Sequence, residues 1–282
     1  MTCHDNDKES DVSDSGFSTD QIDTTIPHPA RMYDYYLGGM DNYEVDREAA
    51  ERALGHAPFL RPTAQGNRGF HHRAVRTVVE RGIRQIIDIG TGIPTSPNTH
   101  EVARDIAPDT RVAYVDNDPI VATYAGAKLT NSGNAGFVLA DLREPEAIMD
   151  HAASRQLIDF DQPVALMLVA VLHFIRDDEG PLEIVRTLTD RLPKGSCLIF
   201  SHLTADFDDD DALQRAAEIY KGSTAQLITR SREELMPYFE GFELLEPGFV
   251  RPPLWRPDGP VPEGDSLLVH HGYAGVGVKG GA

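Results

Sequence analysis

The run Ile86–Gly92 reads Ile-Ile-Asp-Ile-Gly-Thr-Gly: an apolar strand that ends in an acid and two glycines. A second apolar run, Val112–Val115, ends in Asp116, 24 residues beyond Gly92. Strand, glycine turn, helix, strand and acid in this order form a βαβ nucleotide site, in which glycines let the backbone approach the ligand. The rest of the chain must then supply further parallel strands and helices to cover both faces.

From Ile83 onward the pattern alternates as that requires. Strands are expected at Gln85–Ile89, Arg111–Val115, Gly136–Ala140, Val164–Leu168 and Ser196–Ser201. Helices are expected at about 98–106, 119–129, 145–155, 180–192 and 211–221. A further helix is expected at 232–239, where Ser231 and Glu234 can form a capping box. Strands at 242–250 and 266–274 follow with no helix between them, so they should pair antiparallel. The fold class is α/β: a Rossmann-like, seven-stranded, mostly parallel sheet with the last strand antiparallel and helices on both faces.

Residues 26–82 read as an N-terminal helical cap of three helices. Pro29 opens the first and Gly38-Gly39 stops it, Asp41 with Glu44 can cap the second, and the third runs from about Thr63 to Arg81. Residues 83–275 read as the catalytic domain and 276–282 as a flexible tail. Residues 1–25 hold seven acids and one lysine with almost no apolar content, a composition that does not repay the entropy of ordering.

Asp88 decides which nucleotide fits. A pyrophosphate on a helix N-terminus is repelled by a neighbouring carboxylate, and the third glycine of a dinucleotide fingerprint is replaced by Thr95. Both points disfavour a nicotinamide-dependent oxidoreductase. S-adenosylmethionine (SAM) has no phosphate and carries an ammonium and a sulfonium that an acid attracts. Gly90, Thr91 and Gly92 form the turn, Asp88 is placed for the amino group, and Asp116 for two hydrogen bonds from the ribose diol. Asn117 lies near the adenine, Asp141 can accept from its amino group, and the Leu142 N–H can donate to the ring.

Charge and composition narrow the partners. The net charge is −19, and −13 remains beyond residue 25, which counts against a nucleic-acid substrate. The longest apolar run, Val164–Leu172, has nine residues, against about 20 for a membrane span. Two cysteines, Cys3 and Cys197, give neither a disulfide framework nor metal spacing. The N-terminus is unlike a signal peptide, so the expected location is the cytoplasm. No metal is expected, and the oligomeric state is open.

Across about Ile83–Ala274 the chain resembles class I SAM-dependent methyltransferases. It is similar, more narrowly, to an actinobacterial S-adenosyl methyltransferase family long catalogued as a domain of unknown function. The likeness rests on the stretch from Pro29 to Arg47, on Asp88-Ile-Gly-Thr-Gly-Ile-Pro-Thr-Ser96 and on Tyr114-Val-Asp-Asn-Asp118. Val171-Leu-His173 and Trp255-Arg-Pro-Asp-Gly259 complete it. One departure is Met40, where such sequences usually carry lysine. The resemblance implies a fold and SAM, with S-adenosylhomocysteine as product. It brings no acceptor.

After strand 4 the chain reads Val169-Ala170-Val171 at the cofactor's edge, without the Asn/Asp-Pro-Pro-aromatic motif of enzymes that methylate base or amide nitrogen. His173 and His202, just past strands 4 and 5, are the candidate bases for a hydroxyl acceptor. Arg31 and Tyr33 can reach the cofactor from a lid, while Tyr36, Asp41, Asn42 and Trp255 are the expected acceptor contacts. The connection 251–264 has five prolines and should emerge on the ligand side of the sheet. The expected function is methyl transfer to a small molecule at oxygen. The alternative is a non-catalytic SAM-binding or regulatory module.

Overall fold

A computed structural model describes residues 23–128, 134–207, 211–261 and 263–280. The acidic stretch 1–22 lies outside the described residues, as does Leu129 at the end of an expected helix. Three helices come first: α1 (Pro29–Tyr36), α2 (Glu44–His56) and α3 (Leu60–Glu80). The alternating part follows as β1 (Gln85–Ile89), α4 (Thr99–Arg104), β2 (Arg111–Asp116), α5 (Pro119–Lys128), β3 (Ala135–Leu139), α6 (Pro145–Asp150) and α7 (Ala152–Leu157). It continues with β4 (Ala165–Val169), α8 (Pro181–Asp190), β5 (Cys197–Leu203), α9 (Ala212–Tyr220) and α10 (Arg232–Leu235). The chain closes with β6 (Phe242–Leu244), α11 (Asp265–Leu268) and β7 (Gly272–Lys279).

The strand order is β3-β2-β1-β4-β5-β7-β6. The five central strands run parallel, and β7 runs antiparallel to both β5 and β6. The period of two divides β1 between two cores. Ile87 and Ile89 face the layer of α6 and α8, where Ile148, Met149, Val185 and Leu188 pack. Ile86 faces Phe70, Ala74, Val75 and Val78 on α3. Each of these larger side chains, fully buried, stabilises the fold by about 1.5–3 kcal/mol. Asp88 shares the parity of Ile86, so it points toward α3. A third cluster packs α1 and α2 against α9 through Met32, Ala50, Ala53, Leu213 and Ala216.

The helix expected at 145–155 is two, α6 and α7, broken at His151, and three further expectations differ. The strand expected at 242–250 ends at Leu244, and only a bridge from Val250 to Ala274 continues it. Pro247 has no N–H to give the ladder. The strand expected at 266–274 begins at Gly272, because Asp265–Leu268 form a helical turn instead. It then runs through residues 276–279, which the sequence placed in a flexible tail. The Lys279 ammonium donates to the carbonyls of Thr189 and Leu192 at 2.7 and 2.8 Å and fastens that end to α8. Finally, α2 is not capped by Asp41. The Tyr43 N–H donates to the Asp46 carboxylate at 2.9 Å at that terminus.

Candidate active site

The carboxyl ends of β1, β2 and β3 carry three acids to one edge. Their register is fixed by Ile89 opposite Val115 and by Asp116 opposite Leu139. Beyond β1 the Gly90 N–H donates to the Val115 carbonyl at 2.8 Å, which bends the turn across β2. Gly90 has φ +74°, and a Cβ there would lie 2.5 Å from Val171 Cγ2, so only glycine fits. The turn borders a cleft of about 360 Å³. Asp88, Gly90, Thr91, Gly92, Asp116, Asn117, Asp141, Leu142, Val169 and Ala170 all line it, as do Arg31 and Tyr33 from α1.

The acids are held differently. Asp88 is 4% exposed, and its Oδ2 accepts from Thr99 Oγ1 at 2.5 Å. Thr99 spends its proton on Asp88, so it accepts in turn from His71 Nε2 at 2.8 Å. Burial pushes the Asp88 carboxyl up to about 6 against this hydrogen bond. Asp116 accepts from the Gly92 N–H at 2.8 Å and the Asp118 N–H at 3.0 Å. Burial pushes it up to about 6 as well. Neither buried acid makes an ion pair among the described residues, although Arg68 also lines the cleft and favours the ionised Asp88, and a carboxylate so placed can attract a cationic ligand. Asp141 is more open, and Asn117 Nδ2 donates to it at 2.9 Å.

The lid is built by a charge cluster. The Arg31 guanidinium lies 3.4 Å from Asp46 and 3.8 Å from Asp118, and it donates to the Ile26 carbonyl at 3.1 Å. These contacts draw the start of α1 over the nucleotide turn.

A second, smaller chamber of about 50 Å³ adjoins the cleft. Pro29, Tyr33, Asn67, Ala170 and Phe174 border both. The seam is pinned by a chain of hydrogen bonds. The Ala170 N–H donates to Ser201 Oγ at 3.0 Å, and that hydroxyl donates to Asn67 Oδ1 at 2.6 Å. Asn67 Nδ2 donates to the Tyr33 hydroxyl at 2.9 Å, which donates to the Ala64 carbonyl at 3.1 Å. Ala170 itself sits at φ 56°, a strained conformation for a residue with a Cβ.

Tyr36, His173 and His202 line this chamber and not the larger cleft. Tyr36 and Tyr220 share a hydroxyl–hydroxyl hydrogen bond of 3.1 Å. His202 is fully engaged. Arg230 can only donate, so His202 Nε2 accepts from it at 3.0 Å, and its Nδ1 donates to the Leu203 carbonyl at 2.6 Å. Burial pushes His202 down to about 3, and it has no free lone pair for work as a base. His173 is different: its Nδ1 is buried with no hydrogen-bond partner among the described residues. Burial, with His202 and Arg230 nearby, holds it well below the ordinary histidine range.

Three expected acceptor contacts lie elsewhere. Asp41 and Asn42 border neither cavity. The Asp41 N–H and Asn42 Nδ2 both donate to the Asp34 carboxylate, at 3.0 and 2.7 Å, and so shape the turn between α1 and α2. Trp255 is fully buried with its ring edge-on to Phe70 at 5.3 Å. It anchors the proline-rich connection to α3, where Arg73 donates to the carbonyls of Trp255 and Pro252. From that connection Pro252 reaches the inner chamber.

Sequence reasoning missed Asn67, His71 and Ser201. The signal for the first two was available. Thr63, Asn67, Phe70, His71 and Ala74 recur at helical spacing on one buried stripe of α3, and polar groups on such a stripe need partners. Ser201 gave no such signal. Arg143 was missed as well. It ties Asp141 to Glu179 and to the Phe174 carbonyl, joining the end of β3 to the loop after β4.

A parallel sheet of this order, with a glycine turn and acids at the ends of its first strands, defines a Rossmann-like SAM-dependent methyltransferase. The chain belongs to the S-adenosyl methyltransferase family, whose model matches residues 15–280. Among solved structures it is similar to a DUF574-family protein from Streptomyces avermitilis, at 40% identity over 92% of this chain and 100% of that one, with a TM-score of 0.88. It is also similar to a candidate methyltransferase from Thermobifida fusca, at 42% identity over 91% and 96%, with a TM-score of 0.85. No curated protein matches. SAM is the cofactor, and the buried acids of the cleft suit its positive charges. Among the described residues there is no helix long and apolar enough to cross a membrane and no His/Cys/Asp/Glu group able to hold a metal.

Proposed function

We propose that this protein transfers the methyl group of SAM to a small-molecule acceptor, at oxygen. The observation that carries this reading is the inner chamber beside the cofactor cleft, with His173 on its wall, whose Nδ1 has no hydrogen-bond partner among the described residues. Bound SAM supplies a methyl group on a sulfonium. The protein's part is to hold that group and an incoming oxygen in line, which can lower the barrier by about 7–11 kcal/mol.

Asp88 is assigned to the ammonium, Asp116 to the ribose diol, and Asp141 with the Leu142 N–H to the adenine. Arg31 and Tyr33 close the cleft from α1. His173 is assigned as the base that takes the hydroxyl proton. Size favours a small acceptor, since the chamber between α1 and α3 offers only about 50 Å³. Calorimetry with SAM and S-adenosylhomocysteine tests the site. Micromolar binding lost in Asp116→Ala supports it, and no binding of either compound refutes it. Methyl transfer to a hydroxyl compound, followed with labelled SAM, tests the reaction.

A further inference from the structure

The wall of the inner chamber limits what can enter. It is built from Tyr36, Leu60, Phe174, Tyr220 and Leu227 among others, and none of the described residues lining it is Asp, Glu, Lys or Arg. Its two histidines are held neutral, as described above. An ionised head placed there would lose its hydration with no counter-charge on the wall, since Arg230 behind His202 is already paired with Asp177 at 2.7 Å, at a cost of several kcal/mol or more. Aliphatic amines and carboxylates, charged at neutral pH, are therefore poor occupants. The chamber has about 50 Å³ open to the centres of water molecules. One water needs about 10–15 Å³ by that measure, so there is room for roughly three to five waters, the bulk of a single six-membered ring.

The base narrows the class further. A neutral imidazole has an ordinary pKa near 6.5, about 3.5 below that of a phenol, and burial lowers His173 further. A hydroxyl as weakly acidic as water, near 16, would lie about ten units away. A weak base suits an acidic hydroxyl.

We propose that the inner chamber takes the ring of a monocyclic phenol, and that its hydroxyl, between His173 and the cofactor cleft, is the group methylated. The inference rests on the methyl-transfer reading above. In the step, the phenol oxygen forms a bond to the methyl carbon as the carbon–sulfur bond breaks, with its electron pair going to sulfur. The hydroxyl proton passes to a ring nitrogen of His173. An aryl methyl ether, a neutral thioether and an imidazolium result, so one positive charge moves from sulfur to His173, where burial and Arg230 disfavour it and make the imidazolium short-lived. The proton returns to solvent as products leave.

The test titrates the full chain, loaded with S-adenosylhomocysteine, with phenol, benzoate, benzylammonium and aniline by calorimetry. It then assays SAM plus phenol for anisole. Phenol should bind more tightly than the other three. Leu227→Trp, which enlarges a side chain that lines the chamber and not the cleft, should weaken phenol by more than about tenfold while S-adenosylhomocysteine stays within about twofold. Anisole should form. His173→Gln should lower kcat by about a hundredfold or more with phenol affinity kept, and should remove any fall of kcat in acid that persists at saturating SAM. Benzoate, benzylammonium or aniline binding as tightly as phenol overturns the proposal. So does phenol binding that ignores Leu227→Trp, or loaded protein that binds no phenol. Turnover of a non-aromatic hydroxyl compound without phenol binding sinks the phenol and leaves oxygen methylation standing. Turnover of amines alone sinks both.

Discussion

Asp88 illustrates how a single residue can be costly to the empty protein and useful to the loaded one. Its carboxyl is pushed up to about 6 by burial, above its unfolded value near 4. A raised carboxyl adds stability that is complete below pH 4 and lost as pH rises through 6, so at neutral pH the ionised group is a burden on the cofactor-free fold. Asp88→Asn should therefore raise the melting temperature of the free protein at pH 7, by about 2–4 °C for each kcal/mol relieved. The gain should vanish below pH 4, and S-adenosylhomocysteine affinity should fall. A melting curve at two pH values with a parallel titration checks both signs. Wild-type affinity should also decline as pH drops through 6, where Asp88 and Asp116 take up protons. Tyr33 offers a second residue-level test. Its hydroxyl links Asn67 to Ala64 at the seam, so Tyr33→Ala should weaken cofactor binding without unfolding the chain. Unchanged affinity would exclude the lid role. At this scale the sequence was most legible where chemistry and position coincide, as at the strand-end acids. It was least legible where a partner arrives from afar. Nothing local to His202 announces Arg230, 28 residues on, which takes its lone pair.

Elements were readable where a period ran uninterrupted and obscure where packing replaced it. β1, β2 and β4 are continuous apolar runs because helices cover both faces of a parallel sheet. β7 was misplaced because glycines interrupt its apolar alternation. At Gly277 a Cβ would come within 2.8 Å of Phe242 Cβ, so close strand-to-strand packing demanded the residue that hides the strand. The loop after β4 carries His173, and two arginines hold it. Arg230, 5% exposed, donates to the carbonyls of Leu172 and Ile175 and to Asp177 as well as to His202. Arg230→Met should leave those carbonyls unpaired, lower stability by about 3 kcal/mol and lower the transfer rate more than cofactor affinity. Arg143 acts on the same loop from the side of Asp141. Arg143→Ala should raise both the cofactor Kd and the acceptor KM, with a small effect on melting because its ion pairs are partly exposed. An Arg143→Ala protein altered only in cofactor affinity would show that the loop does not depend on this bridge.

The molecule as a whole sets its cleft between two bodies of packing rather than inside one. The sheet supplies the floor, through β1, β2 and β3. The helical cap supplies the roof, through α1, and is itself held by α9 from the far end of the sequence. Arg31 reaches across from α1 to Asp118 beyond β2, and Asn67 on α3 meets Ser201 on β5. Neither body completes the cleft alone, so a ligand there binds the folded chain and has little affinity for the unfolded one. At a ligand concentration about a hundredfold above Kd, that linkage is worth about 2.7 kcal/mol. For a chain of this size it corresponds to a rise in Tm of roughly 5–11 °C. Because cap and sheet share α9 and the seam network, the rise should appear as one calorimetric transition moving as a unit. Two transitions, with only the sheet's responding to S-adenosylhomocysteine, would mean that α1 contributes nothing to holding the cofactor.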